Sequence, residues 1–142
     1  MTEKRIKLVA MDSEDLAILA AHCQDAVLKV RDIRFLPSES RFFVELNRFV
    51  WEQGAKRRER RRAVLHFEHV KGARAQGINQ RDRDQVLSLL TLLFTEKEAP
   101  AGTIELVFSG DFQIRLDVEC VEAQLTDLRA SWEASSVPRH ET

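Results

Sequence analysis

The strictest constraint in this sequence is a pair of alternating segments between positions 104 and 118. Ile104, Leu106 and Phe108 alternate with Glu105 and Val107, and Ile114, Leu116 and Val118 alternate with Arg115 and Asp117. A period of two is the mark of a strand with one buried face. With Ser109-Gly110-Asp111 as the loop, Phe108 pairs with Phe112, Leu106 with Ile114 and Ile104 with Leu116. Every apolar side chain then falls on one face, and Glu105 meets Arg115 across the other. A two-residue loop would set Leu106 against Arg115 and break that match.

The same reasoning extends along the chain. Ile6 to Met11 alternates weakly and reads as a strand. Asp12 and Ser13 suit a helix N-cap, and Leu16, Leu19, Ala20 and Cys23 recur at helical spacing, so a helix is expected over about 13–24. Ile33 and Phe35 alternate, Pro37-Ser38-Glu39-Ser40 is a turn cluster, and Phe42, Val44 and Leu46 alternate again. A second hairpin follows, pairing Phe35 with Phe42 and Ile33 with Val44. Glu52 to Arg62 is a polar break, and Ala63 to Lys71 reads as one further strand. Val86 to Phe94 fits either a helix or a doubly buried strand, and its short length and the strong strand after it favour the strand. Val121, Leu125 and Leu128 give a helical stripe, so a final helix is expected after Asp117 and Glu119, with Trp132 packing at its end.

These elements sum to an α+β fold of about seven mostly antiparallel strands, with an early helix and a C-terminal helix. A roll or a pleckstrin-homology-like barrel has that outline. No βαβ rhythm is present, which argues against a Rossmann-like fold. The expected layout is one domain over 1–134 and a polar tail over 135–142.

Composition sets the function classes aside more than it selects one. The net charge is −1 over 142 residues, so the whole molecule has no long-range pull toward nucleic acid or anionic membrane. The charge is uneven, with 15 basic and 11 acidic residues over 1–71 and 7 basic and 12 acidic over 72–142. No run approaches the ~20 apolar residues of a membrane helix, and no signal-peptide core follows Met1. Membrane insertion is not expected. Two cysteines, Cys23 and Cys120, lie in apolar-periodic stretches and read as small core residues rather than a disulfide framework. The cytoplasm is the expected compartment.

Chemistry-bearing patterns are sparse. There is no phosphate-cradling glycine loop, no nucleophile elbow and no Cys/His set at zinc spacing. No cofactor, metal site or catalytic residue is expected. His66 and His69 lie three apart on an expected strand and so face opposite ways. Asp117, Glu119 and Glu122 could serve a divalent metal or an acid/base pair, but charge complementarity at a helix N-terminus explains all three. The one feature that could be functional is Lys56-Arg57-Arg58-Glu59-Arg60-Arg61-Arg62, expected in a loop, with Phe43, Phe49 and Trp51 before it. Cations for phosphates and rings for bases are what RNA binding needs. The blander account of the same run is a solvated loop whose charges keep the protein in solution.

Several segments carry a family resemblance. Gln24-Asp25-Ala26-Val27, Leu46-Asn47-Arg48-Phe49 with Trp51, and Arg62-Ala63-Val64-Leu65-His66-Phe67-Glu68 resemble an uncharacterised bacterial family. So do Ala99 to Phe108 and Ile114 to Cys120. The family is a domain of unknown function seen mainly in alphaproteobacteria. The resemblance covers residues 6–132 and implies a stand-alone small cytosolic protein; it supplies no activity, ligand or catalytic residue. The function expected from the residues is a non-catalytic protein- or peptide-binding module meeting its partner at a sheet face or edge. The alternative is RNA binding through Trp51, Lys56, Arg57, Arg58, Arg60, Arg61 and Arg62. An enzyme is the least supported class, since no converging set of groups is visible.

Overall fold

A computed structural model describes residues 5–50 and 59–128. Its elements run β1 (Lys7–Ala10), α1 (Ser13–Cys23), β2 (Ala26–Lys29), β3 (Ile33–Leu36), β4 (Arg41–Phe49), β5 (Arg60–Phe67), β6 (Val70–Gln76), β7 (Val86–Glu96), β8 (Gly102–Phe108), β9 (Phe112–Val118) and β10 (Ala123–Asp127). The strands form one ten-stranded sheet in the order β1-β10-β5-β4-β2-β7-β8-β9-β6, with β3 also on β4. Every pairing is antiparallel.

The alternation read from the sequence becomes one continuous inner face. Phe42, Val44 and Leu46 of β4, Ala63, Leu65 and Phe67 of β5, and Leu87, Leu89 and Leu92 of β7 are all buried. Ile104, Leu106 and Phe108 meet Leu116, Ile114 and Phe112 across the β8–β9 hairpin. Each large side chain so buried stabilises the fold by about 1.5–3 kcal/mol before chain entropy is charged against it. The expected three-residue loop is present, and Gly110 and Asp111 turn it with φ of 83° and 64°. Arg115 Nε donates to Glu105 Oε2 at 2.9 Å on the outer face.

Helix α1 starts where expected, with Asp12 Oδ1 accepting from the Asp15 N–H at 2.8 Å. It lays Leu16, Leu19, Ala20 and Cys23 on the inner face of the sheet. The hairpin of β3 and β4 also has the expected register, Ile33 with Val44 and Phe35 with Phe42. Residues 86–94 lie within β7, a strand.

Three expectations are corrected. The described residues hold ten strands rather than about seven, because short pieces such as β2 and β10 find partners on both sides. Ala63 to Lys71 is not one strand: β5 ends at Phe67, and His69 turns the chain at φ 60° into β6. The C-terminal helix expected past Asp117 is not seen among the described residues. Ala123, Leu125 and Asp127 are buried and alternate with Gln124 and Thr126, and β10 is wedged between β1 and β5. Leu125 fits both a helical stripe and a strand face, and pairing on two sides decides between them. Trp132 and the 135–142 tail lie outside the described residues.

The roll does not close into a barrel. β4 is shared along one edge, where β3 takes its first half and β2 meets it at Asn47. Among the described residues β3 therefore keeps an unpaired edge, and β6, the last strand of the sheet, keeps another. The two draw together at one end, where the Val70 N–H donates to the Ser40 carbonyl at 2.8 Å. Among the described residues no ladder joins them beyond that point.

Candidate functional site: the seam between β3 and β6

The seam opens into a cleft of about 260 Å³. Most of its lining is apolar: Val30, Ile33 and Phe35 on one side, Phe42 and Ile114 below, Ala73, Ala75 and Ile78 on the other, with Arg74 bordering it between the two alanines. The cleft exists because β6 is thin. Ala73 faces Leu116 and Ala75 faces Ile114 across the β6–β9 pair, so two small side chains in succession stand opposite the branched ones of β9. Gln80 and Arg83 reach it from the loop after β6, which is pinned by Val30 N–H to Gln85 C=O and Arg31 N–H to Arg83 C=O, both 3.0 Å. An ion pair between Arg31 and Asp84 holds the same loop from outside.

The rim is cationic. Arg34 on β3, Arg74 on β6, and Arg81 and Arg83 on the loop are all exposed. None has a carboxylate partner among the described residues, whereas Arg31, Arg41, Arg62 and Arg115 are each paired. Asp82 is the one acid on that loop outside the Arg31 pair.

The basic run is divided by the fold. Trp51, Lys56, Arg57 and Arg58 lie outside the described residues. Arg60, Arg61 and Arg62 are not in a loop: they begin β5, facing Phe49, Arg48 and Asn47 of β4. Strand alternation then separates them. Arg60 is exposed, its guanidinium 5.8 Å from the centre of the Phe49 ring. Arg62 donates to Glu45 at 3.0 Å and Asp32 at 3.2 Å. Arg61 turns inward and is fully buried.

Arg61 belongs to a buried charge cluster that sequence reading missed. Arg48 binds Asp127 with two hydrogen bonds, Nε to Oδ1 at 2.8 Å and Nη2 to Oδ2 at 2.9 Å. Arg61 Nη1 stands 3.5 Å from Asp127 Oδ2, and its Nε donates to Glu59 at 3.2 Å. Asp127 Oδ2 also accepts the Ile6 N–H of the segment leading into β1 at 3.0 Å. Cys23, at the end of α1, lies near this cluster. Burial pushes its thiol up to about 12, with Asp127 adding to the rise and Arg48 opposing it. A thiol held protonated is a poor nucleophile, so Cys23 packs rather than reacts. Cys120 is only partly buried.

The remaining sequence candidates separate. Glu122 is 2.8 Å from His69 Nε2, and His66 is 3.3 Å from Glu68. Asp117 lies on the outer face of β9, and the Glu119 N–H donates to the His69 carbonyl at 3.0 Å. Among the described residues, no group of three or more His, Cys, Asp or Glu could hold a metal ion. Phe43 is half-buried on the outer face between Arg34 and His66. No helix among the described residues is long and apolar enough to cross a membrane.

Residues 6–140 match the family model described as "Protein of unknown function (DUF2948)". The chain belongs to the DUF2948 family. No curated protein and no solved structure matches it. In this DUF2948 chain the cleft residues were open to sequence reading only in part. The signal was the alternation of Ala73 and Ala75 with Arg74, followed by arginines at 81 and 83 in the acidic half of the chain; the bulge between Val70 and Gly72 that turns the two alanines inward was not legible.

Proposed function

We propose that this protein is a non-catalytic binding module that takes a peptide segment of another protein in the seam between β3 and β6. The observation that carries the reading is the coincidence of an apolar cleft with two unpaired strand edges. An unpaired edge presents backbone donors and acceptors to an added strand, and a pocket beside it takes alternate side chains of that strand. A peptide uses both features at once. The Cys23 thiol is displaced away from reactivity by burial, which fits binding rather than chemistry. Two free cysteines fit a reducing compartment and support a cytoplasmic setting.

RNA binding through Trp51, Lys56, Arg57, Arg58 and Arg60 is the second reading, supported by the Arg60 guanidinium over Phe49. Arg61 and Arg62 contribute less to it, one buried and one committed to two carboxylates.

The test is selection from a random peptide display library, scored against a variant with Ala73→Leu and Ala75→Leu, which fills the cleft while keeping the strand. Peptides that bind the native protein and are lost from a variant of unchanged unfolding temperature support the reading. Peptides that bind both proteins equally, or no peptide at all beside tight RNA binding, overturn it.

A further inference from the structure

We infer that the segment recognised in the seam alternates apolar with acidic residues. The inference rests on the peptide reading above and adds the chemistry of the partner. It follows from where the unpaired arginines stand. Arg34 pairs across β3–β4 with Phe43, and Arg74 pairs across β6–β9 with Arg115. Both belong to the outward set of their strands, since Ile33, Phe35, Ala73 and Ala75 form the inward one. A strand laid along the seam sends alternate side chains to opposite faces. Its inward residues enter the apolar cleft. Its outward residues become lateral neighbours of Arg34 on one lip and Arg74 on the other.

Charge selects the outward residues. Arg74 already faces Arg115, a like charge, and Arg115 is occupied by Glu105 at 2.9 Å. Like charges directly opposite on a sheet are unfavourable, and an acidic neighbour on the free side offsets this. Arg81 and Arg83 add two more cations at the end of the cleft, against Asp82. A basic segment meets repulsion from four guanidiniums, and a neutral one leaves them as they are. An acidic one pairs with them, and complementarity of this kind sets partner choice and association rate.

An anionic amphiphile shares part of this chemistry, having an apolar chain and a charged head. It makes no use of the two strand edges, so the peptide is the occupant favoured here. The experiment uses the full chain and two degenerate octapeptide pools. Valine, isoleucine, leucine and phenylalanine alternate with fixed glutamate in one pool and with fixed lysine in the other. Fluorescence anisotropy is read at low and high salt, with dodecanoate as competitor. Variants are R74E with R83E, and K97E as a control away from the seam.

The expected result is binding of the glutamate pool at least about tenfold tighter than the lysine pool, weakening with salt. That preference is lost or reversed in R74E/R83E and kept in K97E. Equal binding of both pools, unaffected by R74E/R83E, overturns the acidic preference and leaves the peptide site standing. Binding of dodecanoate alone, abolished in R74E/R83E, overturns the peptide as occupant. Binding of neither pool, together with failure of the display selection, overturns both readings.

Discussion

Asp127 is the residue on which the buried charge converges. Two guanidiniums and a backbone N–H point at its carboxylate, and its side chain and those of Arg48 and Arg61 have no exposed surface. A buried pair is weak support for a fold as a whole, but removing one partner strands the other in a medium that solvates it poorly. D127N is expected to cost about 3–5 kcal/mol in urea unfolding with an unchanged slope; a loss under about 1 kcal/mol would show that the cluster is solvated. Cys23 gives a second residue-level expectation. Its folded value is raised from 9.0 to about 12, so the folded state holds its proton where the unfolded state has lost it. That contribution is fully present below pH 9 and falls away as pH rises toward 12, by at most about 1.4 kcal/mol per unit. C23A is expected to flatten this alkaline limb. In the native protein only Cys120 should react readily with a thiol reagent, and both cysteines should react in denaturant.

At the scale of elements, legibility followed local pattern. The β8–β9 hairpin was readable to the residue because its loop, alternation and Glu105–Arg115 pair all demand one register. Helix α1 and the β3–β4 hairpin carried similar redundancy. β10 did not, since five residues that suit either period are decided by neighbours more than 50 positions away in sequence. The Arg48 and Arg61 cluster was hidden for a related reason: a run of cations reads as solvated until the strand's alternation turns one of them inward. Gly102 shows an element constraint that sequence does not announce. A Cβ there would come within 2.7 Å of the Phe94 ring and collide with the Thr95 carbonyl across β7. The backbone cannot yield as a flexible side chain could. G102A is expected to destabilise by about 1–3 kcal/mol through local overpacking, measured by thermal unfolding; an unchanged midpoint would mean that β7 and β8 part at little cost.

At the scale of the whole molecule, the decisive feature is an incomplete closure. A ten-stranded sheet rolls around one core, and its seam falls where β6 has alanines facing Phe35 and Ile114. The charge distribution gives the seam its character, since four exposed arginines without a carboxylate partner among the described residues gather there in a chain whose net charge is only −1. The most direct measurement is a residue-resolved amide NMR titration of the full chain with a peptide taken from the display selection. Shifts are expected to concentrate at Ile33, Phe35, Ala73, Ala75 and Ile114, with the β8 amides unmoved. Shifts centred instead on Phe49 and Arg60, leaving β3 and β6 unchanged, would contradict this and move the site to the basic segment.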